Sequence, residues 1–283
     1  MLAGEQLLEI GLAAVNVREE HRAVRRRVAG WIGALLEQGP LPVSERAKAG
    51  IVLGRLGDQR SGVGLKNGMP DIAWLEIPPG PFKMGEGAEE HDCKVITQPF
   101  AISRYPVTVA QYQAFVDGGG YSAKRFWTDA GWKRMQSEKI SGPEEYDPAF
   151  QTPNHPRAGV SWFEAIAFCR WLAEQLKMAV TLPSEAEWER AARHIDTRAF
   201  PWGNEQQGIE QRCNIDQTSL GHTSAVGLFP SGNAVCGAAD MAGNVWEWTR
   251  SLWGRRAPKV TVTRERVSLC QKGVTLWLLF MVN

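Results

Sequence analysis

The sequence has almost no net charge and few cysteines. Its 283 residues carry 32 Lys and Arg against 31 Asp and Glu, a net of +1, so no strong field favours nucleic acid or an anionic membrane as a partner. The five cysteines are odd in number and scattered, and none forms a Cys-x-x-Cys pair. This argues against a disulfide framework or a zinc ribbon and favours a reducing cytoplasm.

The sequence also lacks a long apolar run. The longest, 274–282, is interrupted by Thr275 and is far shorter than the roughly 20 residues that a membrane-spanning helix needs. The amino terminus lacks the basic start and apolar stretch of a signal peptide. We therefore expect a cytoplasmic protein without a membrane partner.

What is present is an ordinary globular composition, with 43% hydrophobic and 22% charged residues, and an excess of tryptophan, 12 against 4 tyrosines. Wholesale disorder is excluded. The length allows one large domain or two small ones.

Patterns along the chain divide it into four segments. In residues 1–57 apolar residues recur at helical spacing, which predicts a helical segment that packs on the next domain or ends a longer helical array. Residues 58–71 are rich in glycine and are predicted as a linker. Residues 72–253 form the main domain, and residues 254–283 form a tail of different character.

Three helices of the main domain are marked by capping boxes. Thr108, Ser161 and Ser184 each precede a Gln or Glu by three residues, so that the two side chains satisfy free backbone amides at a helix start. Long loops are predicted over 118–158 and 201–240. Such loops usually carry function or are held by metal and aromatic packing.

Several segments have the character of strands. Residues 74–78 and 100–103 are short apolar pieces between turns, and residues 259–263 alternate in polarity. The apolar run 275–282 would be an aggregation hazard if exposed. We expect it to be buried unless the tail is not what a complete protein would carry.

The tryptophans at 188, 202, 246 and 248 admit two interpretations. They could form a carbohydrate platform or lie in the core. In a domain with little regular structure, aromatic area replaces helix and sheet packing, so we expect them in the core.

The segment from Asp240 to Glu247 places two carboxylates seven residues apart, separated by Met-Ala-Gly-Asn-Val-Trp. A loop of this length can wrap one hard cation with both side chains and intervening carbonyls, which suits the six to eight oxygen ligands of calcium. Alternatively, Glu247 accepts backbone hydrogen bonds and Asp240 caps a turn.

Six sequence words occur in order across the main domain: IPPGPFKMG from residue 77, YPVTVAQYQAFV from 105, HPRAGVSWFEA from 155, LPSEAEWERAAR from 182, FPWGN from 200 and DMAGNVWEWT from 240. In them the domain resembles the sulfatase-modifying factor family, the domain of formylglycine-generating enzymes. The resemblance implies an α+β fold, a decorated C-type-lectin-like domain with little regular secondary structure, here preceded by a small helical segment.

The resemblance also implies structural calcium. The family binds one ion through side chains at the positions of Asp240 and Glu247 and main-chain oxygens at those of Gly243 and Val245. A second calcium site matches here only at two residues, Asn214 and Ile215. Its downstream acidic ligand has no clear counterpart in 217–223, so this second site is in question.

The catalytic residues of the family are harder to find. Formylglycine-generating enzymes hold copper with two cysteines after the Gly-Asn-Val-Trp-Glu-Trp motif, where this chain has only Cys270. One thiolate does not make a linear Cu(I) site, so copper and a catalytic role for Cys270 are not expected. The related ergothioneine sulfoxide synthases use iron-binding histidines, whereas the five histidines here are isolated, with no His-x-x-x-His pair.

Three functional hypotheses follow. The first is a non-catalytic lectin-like module that binds a protein or a small ligand, with a larger multidomain neighbour. The alternative is a metal-dependent oxidase that converts a peptide cysteine to formylglycine, or a divergent non-haem metal oxidase. The third is a truncated or frame-shifted product, unless Val260–Thr263 and Leu276–Val282 supply the strands that complete the family's central sheet.

Overall fold

A computed structural model describes residues 1–39 and 41–251, together with the backbone of two tail strands. The described residues form eight α-helices: α1 (Leu2–Ile10), α2 (Leu12–Val15), α3 (Glu19–Gln38), α4 (Val43–Leu56), α5 (Val109–Asp117), α6 (Asp129–Glu138), α7 (Trp162–Leu176) and α8 (Glu185–Arg193). The strands are β1 (Leu65–Lys66), β2 (Met69–Pro70), β3 (Trp74–Ile77), β4 (Phe82–Met84), β5 (His91–Cys93), β6 (Phe100–Ser103), β7 (Val180–Thr181), β8 (Trp246–Glu247), β9 (Thr275–Trp277) and β10 (Met281–Val282). The predicted α+β class is confirmed.

The three predicted capping boxes are all formed. Thr108, Ser161 and Ser184 begin α5, α7 and α8, and in each case the side chains of the cap and of the residue three positions on both accept backbone amides. The local sequence therefore sets where the helices of the main domain begin.

One helix lies where only a loop was predicted. Helix α6, inside 118–158, is capped by Thr128, whose side chain accepts from the amide of Gly131 at 3.0 Å. Because the third helical position is glycine, this start carries no capping box. The remaining signals were Thr128 itself and the acidic Asp129 that follows it.

The main sheet has four strands in the order β3-β6-β9-β7. Strand β3 pairs with β6 antiparallel, with Trp74 opposite Ser103, and β9 pairs with both β6 and β7 in parallel. The tail thus supplies an interior strand of the main sheet. Strand β10 pairs antiparallel with β8, placing Met281 opposite Glu247.

These pairings confirm the strand expectation for Leu276–Val282 at residues 275–277 and 281–282. The other proposed substitute strand, Val260–Thr263, lies outside the described residues. So do Cys270 and the rest of 252–274.

The helical segment packs on the main domain rather than standing apart. Apolar residues of α3 and α4 share one buried cluster with Leu228 and Phe229. The guanidinium of Arg46 donates to the carbonyl of Leu228 at 3.0 Å. The buried side chain of Asn154 donates to the carbonyl of Gly50 at 3.0 Å. The two segments therefore share a core.

The segment predicted as a linker is structured. Residues 58–71 contain the hairpin of β1 and β2 and a buried ion pair in which Arg60 Nη2 lies 2.7 Å from Asp58 Oδ2. Asp58 also accepts from Asn154 at 2.9 Å. The composition suggests a flexible connector, but these polar side chains find buried partners across the fold.

The tryptophan expectation is wrong at one position. Trp246 is 80% exposed, whereas Trp188, Trp202 and Trp248 are half-buried. Trp202 stacks on Phe200, with ring centroids 5.0 Å apart. Within the described ranges, no helix is both long and apolar enough to cross a membrane.

Candidate functional site

The loop that carries the predicted calcium ligands is held in an unusual backbone conformation. Asp240, Gly243 and Asn244 all have positive φ, at 57°, 72° and 62°. A Cβ on Gly243 would collide with the carbonyl oxygen of Asn214. That carbonyl accepts from the amide of Asn244 at 2.7 Å, so the loop closes tightly over the 214 region and requires glycine at 243.

The two predicted carboxylate ligands are anchored differently. Asp240 Oδ2 accepts from the amide of Gly227 at 2.7 Å, which matches the turn-capping alternative. Glu247 Oε2 accepts from the indole N–H of Trp188. The other oxygen, Glu247 Oε1, is shielded from solvent and has no hydrogen-bond partner among the residues that the structure describes.

The electrostatics of this pair favour the binding of a cation. Burial raises the pKa of Asp240 to about 6. Burial, followed by the charge of Asp240, raises the pKa of Glu247 to about 8, although the Trp188 hydrogen bond lowers it. The negative charges of the two carboxylates are poorly balanced, and one of their oxygens has no partner. Both features suit a hard cation that binds oxygen, such as calcium. On this test the residues fit the implied ion.

One of the two main-chain oxygens predicted as calcium ligands already accepts a hydrogen bond. The carbonyl of Gly243 already accepts from the amide of Val245 at 2.7 Å, which leaves one lone pair for a cation. Among the residues that the structure describes, no group of three His, Cys, Asp or Glu side chains converges as metal ligands. A cation here would therefore depend on carbonyl or water oxygens in addition to the two carboxylates.

The residues of the second predicted calcium site, Asn214 and Ile215, line an open cavity of about 410 Å³. The full lining is Phe150, Asn214, Ile215, Asp216, Ser219, Gly221, His222, Thr223 and Asn244. The side chain of Asn214 is already engaged, since its amide group donates to His222 O at 2.9 Å and its oxygen accepts from Thr218 at 2.9 Å.

Sequence reasoning missed Phe150, Asp216 and His222 as cavity residues. Phe150 comes from one predicted loop and Asp216 and His222 from another, and their spacing follows no known motif, so no sequence pattern marked them as a group. Asp216 supplies the only carboxylate of this lining, next to the two residues that the family resemblance had singled out.

Two histidines that are isolated in the sequence meet in the structure. The rings of His155 and His222 have centroids 6.1 Å apart and planes 21° apart. His155 is fully buried. Burial, followed by the nearby His222, lowers the pKa of His155 to about 3. A neutral imidazole therefore lies behind the cavity wall.

The described cysteines do not fit the implied copper site. Cys93, Cys169, Cys213 and Cys236 are all unpaired thiols in the described part of the chain. Burial raises the pKa of Cys213 to about 11 and that of Cys169 further. Because copper binds thiolates, buried thiols that resist ionisation are poor copper ligands.

Residues 67–274 match the family described as "Sulfatase-modifying factor enzyme 1-like domain". The chain belongs to this family. The suspected resemblance is thus confirmed, and the domain has the family's decorated α+β fold.

Several named relatives are similar to this chain. The hercynine oxygenase of Mycolicibacterium thermoresistibile is 33% identical over 216 residues, which cover 68% of this chain and 47% of the relative. The formylglycine-generating enzyme of Thermomonospora curvata is 34% identical, covering 63% of this chain and 71% of the relative. The mouse protein named inactive C-alpha-formylglycine-generating enzyme 2 is 30% identical, covering 69% and 73%.

The chain spans about half the length of the hercynine oxygenases that it matches. Among solved structures, Treponema denticola variable protein 1 matches with a TM-score of 0.46 and 19% identity, covering 62% of this chain and 71% of that one.

Proposed function

We propose that this domain works in a metal-dependent, oxygen-using oxidoreductase of the formylglycine-generating or hercynine oxygenase class. The observation that supports the proposal is its similarity, at 33% and 34% identity, to relatives that bear those names. From the sequence alone, the absence of the family's cysteine pair favoured a non-catalytic module instead.

In this proposal the described residues bind and position rather than hold the redox metal. The open cavity beside His222 offers polar atoms and one aromatic wall, Phe150, to a small substrate. The described cysteines have no role in this chemistry because none is paired with another, and three of them are buried while Cys236 is half-buried.

We also propose that calcium binds at Asp240 and Glu247. The support is the orphaned oxygen Glu247 Oε1 and the upward pKa shifts of both carboxylates. Calcium would fix the 240–247 loop against the loop that contains Asn214, to which it is already hydrogen-bonded. Its role would be to hold the cavity wall in place.

The activity proposal is tested on the full chain with added Cu(I) or Fe(II). A cysteine-containing peptide, or hercynine together with a thiol, is incubated under air and the products are identified by mass spectrometry. We expect an aldehyde in the peptide or a sulfur-containing adduct of hercynine. Removal of oxygen should abolish either product, and unchanged substrates with both metals would overturn the proposal.

Two cysteine variants sharpen this test. Cys270→Ser removes the thiol nearest in sequence to the family's copper position, and Cys213→Ser removes a buried thiol of the described core. Loss of peptide oxidation in the first variant alone would assign copper-type chemistry to Cys270. If both variants remain active, but only with Fe(II), the activity would be of the hercynine-oxygenase type.

A non-catalytic binding module is the second candidate. The separate cysteines of the described part favour it, and the relative named inactive C-alpha-formylglycine-generating enzyme 2 is 30% identical. This candidate predicts a folded, calcium-responsive protein that binds a protein or a small ligand and consumes no oxygen with either metal.

A further inference from the structure

The outward face of helix α3 is unusually apolar for a surface that meets solvent. Val24, Gly30, Trp31 and Ala34 are all exposed there, and Trp31 is 64% exposed. Positions 24, 27, 31 and 34 have the spacing of one helix face, and the buried residues of α3 lie on its other side. A contiguous apolar face of this kind is typical of an interaction surface.

Charge is distributed unevenly along the same helix. Residues 18–27 contain five arginines and two glutamates, whereas Glu37 is the only charged residue of 28–38. Arg27 is exposed on the apolar face and has no ion-pair partner among the described residues. The carboxyl-terminal end of the helix also carries partial negative charge from its aligned peptide dipoles. Helix α3 therefore has a basic first half and a weakly negative end.

We propose that α3 pairs with α3 of a second copy of this chain, in antiparallel orientation about a two-fold axis near Gly30. Antiparallel pairing lays the basic half of each helix along the half of the other that ends at Glu37. Parallel pairing would instead bring the two basic halves together, which like charges oppose. One surface thus supplies both complementary parts, as a two-fold interface between identical chains requires. This inference does not rest on the proposed oxidoreductase activity.

The exposed side chains are complementary in this register. Arg27 of each helix lies opposite Trp31 of the other, where a guanidinium stacks on an indole face. Val24 lies opposite Ala34 in the same way. Gly30, beside the axis, has nothing within 4 Å of its Cβ position, so the two helices can approach closely where they cross. Tryptophan and arginine are the residue types that contribute most to protein interfaces, and the symmetry uses each contact twice.

The first test measures self-association of the full chain by sedimentation velocity at micromolar concentrations. Wild type is expected to form a dimer. Trp31→Ala should raise the dimer Kd at least about tenfold, because each dimer loses two buried indoles. The matched control is Trp246→Ala, which removes a tryptophan that is 80% exposed on the main domain and should leave the Kd unchanged. A monomeric wild type would leave the face to solvent or to a different protein and overturn the proposal, as would an equal Kd in Trp31→Ala.

A second test checks the antiparallel register by disulfide formation in diamide. Gly30→Cys places a thiol beside the axis in each copy and should give crosslinked dimers above the wild-type background. Glu20→Cys places a thiol on the same face, but the two thiols would lie about 27 Å apart along the helix axis. Since a disulfide spans at most about 7 Å between Cα atoms, this variant should not crosslink. Equal crosslinking of both variants, or none above background at position 30, would overturn the proposal.

Discussion

The indole nitrogen of Trp188 donates to one carboxylate oxygen of Glu247, while the other oxygen of that carboxylate is buried and has no partner in the described part of the chain. Helix α8, which contains Trp188, therefore fixes the orientation of the Glu247 side chain, although Glu247 comes much later in the sequence. A cation at the free oxygen would connect this helix to the 240–247 loop.

Calcium should stabilise the protein. At a free concentration of 100 Kd, an ion that binds only the native state adds about 2.7 kcal/mol, which raises Tm by roughly 5–10 °C in a chain of this size. Thermal melts with calcium and with EDTA measure this shift.

The calcium shift should disappear in Glu247→Gln, because this change removes the charge that the ion compensates. It should persist in Glu9→Gln, which removes an exposed carboxylate from α1. Equal calcium shifts in both variants would place the ion elsewhere.

Gly243→Ala should destabilise the protein and suppress the calcium response. The new Cβ would enter the carbonyl of Asn214, and alanine is also strained at φ 72°. A strained backbone position costs on the order of 1–3 kcal/mol, and the collision adds to it. Urea unfolding of the variant measures the loss.

The matched control for that variant is Gly221→Ala. Gly221 has a similar φ of 69° but open space around its Cβ position, so it reports the backbone strain alone. Equal losses of stability at 221 and 243 would mean that the contact with Asn214 is unimportant.

His155 makes the stability of the protein sensitive to acid. Its native pKa of about 3 lies below the ordinary value of 6.5, so below pH 6.5 the unfolded chain binds the extra proton. The contribution of His155 to the free energy of unfolding is therefore fully present above pH 6.5. It is lost as pH falls towards 3, by at most about 1.4 kcal/mol per pH unit.

Histidine NMR resonances followed from pH 8 to pH 4.5 in EDTA check this directly. The signal of His155 should stay in its neutral position over this whole range. A midpoint near 6.5 for His155 would show that the ring is solvated.

The helical segment and the main domain should unfold together. Asn154 donates to Gly50 in α4 and to Asp58, so Asn154→Ala removes two buried hydrogen bonds, which at about 0.5–1.5 kcal/mol each should cost about 1–3 kcal/mol. Hydrogen exchange should then speed up in α4 as well as around residue 154. Gln113→Ala, on the exposed face of α5, should alter neither, and exchange that changes near 154 alone would indicate independent units.

Local signals in the sequence predicted much of the fold. Capping boxes at Thr108, Ser161 and Ser184 gave the starts of three helices, because the cap chemistry depends on residues only three positions apart. The candidate site was predicted only where it lies on one contiguous segment, as in the 240–247 loop. The strain at Asn244 and the orphaned oxygen of Glu247 depend on distant residues, so the sequence alone did not show them.

The cavity and the histidine pair could not be predicted in this way. His155 and His222 are separated by many residues and meet only in the folded domain, where both rings form hydrogen bonds with Thr223. The hairpin in 58–71 and the exposure of Trp246 likewise result from long-range packing, which local composition does not encode.

The most direct test of the central claim is oxygen consumption by the folded, calcium-loaded chain, supplied with Cu(I) or Fe(II) and a thiol substrate. The account predicts oxygen uptake that requires both the redox metal and the thiol and that keeps pace with loss of the thiol. A protein that melts cooperatively and responds to calcium, yet takes up no oxygen above the metal-only background, would contradict the oxidoreductase proposal and leave the binding module in its place.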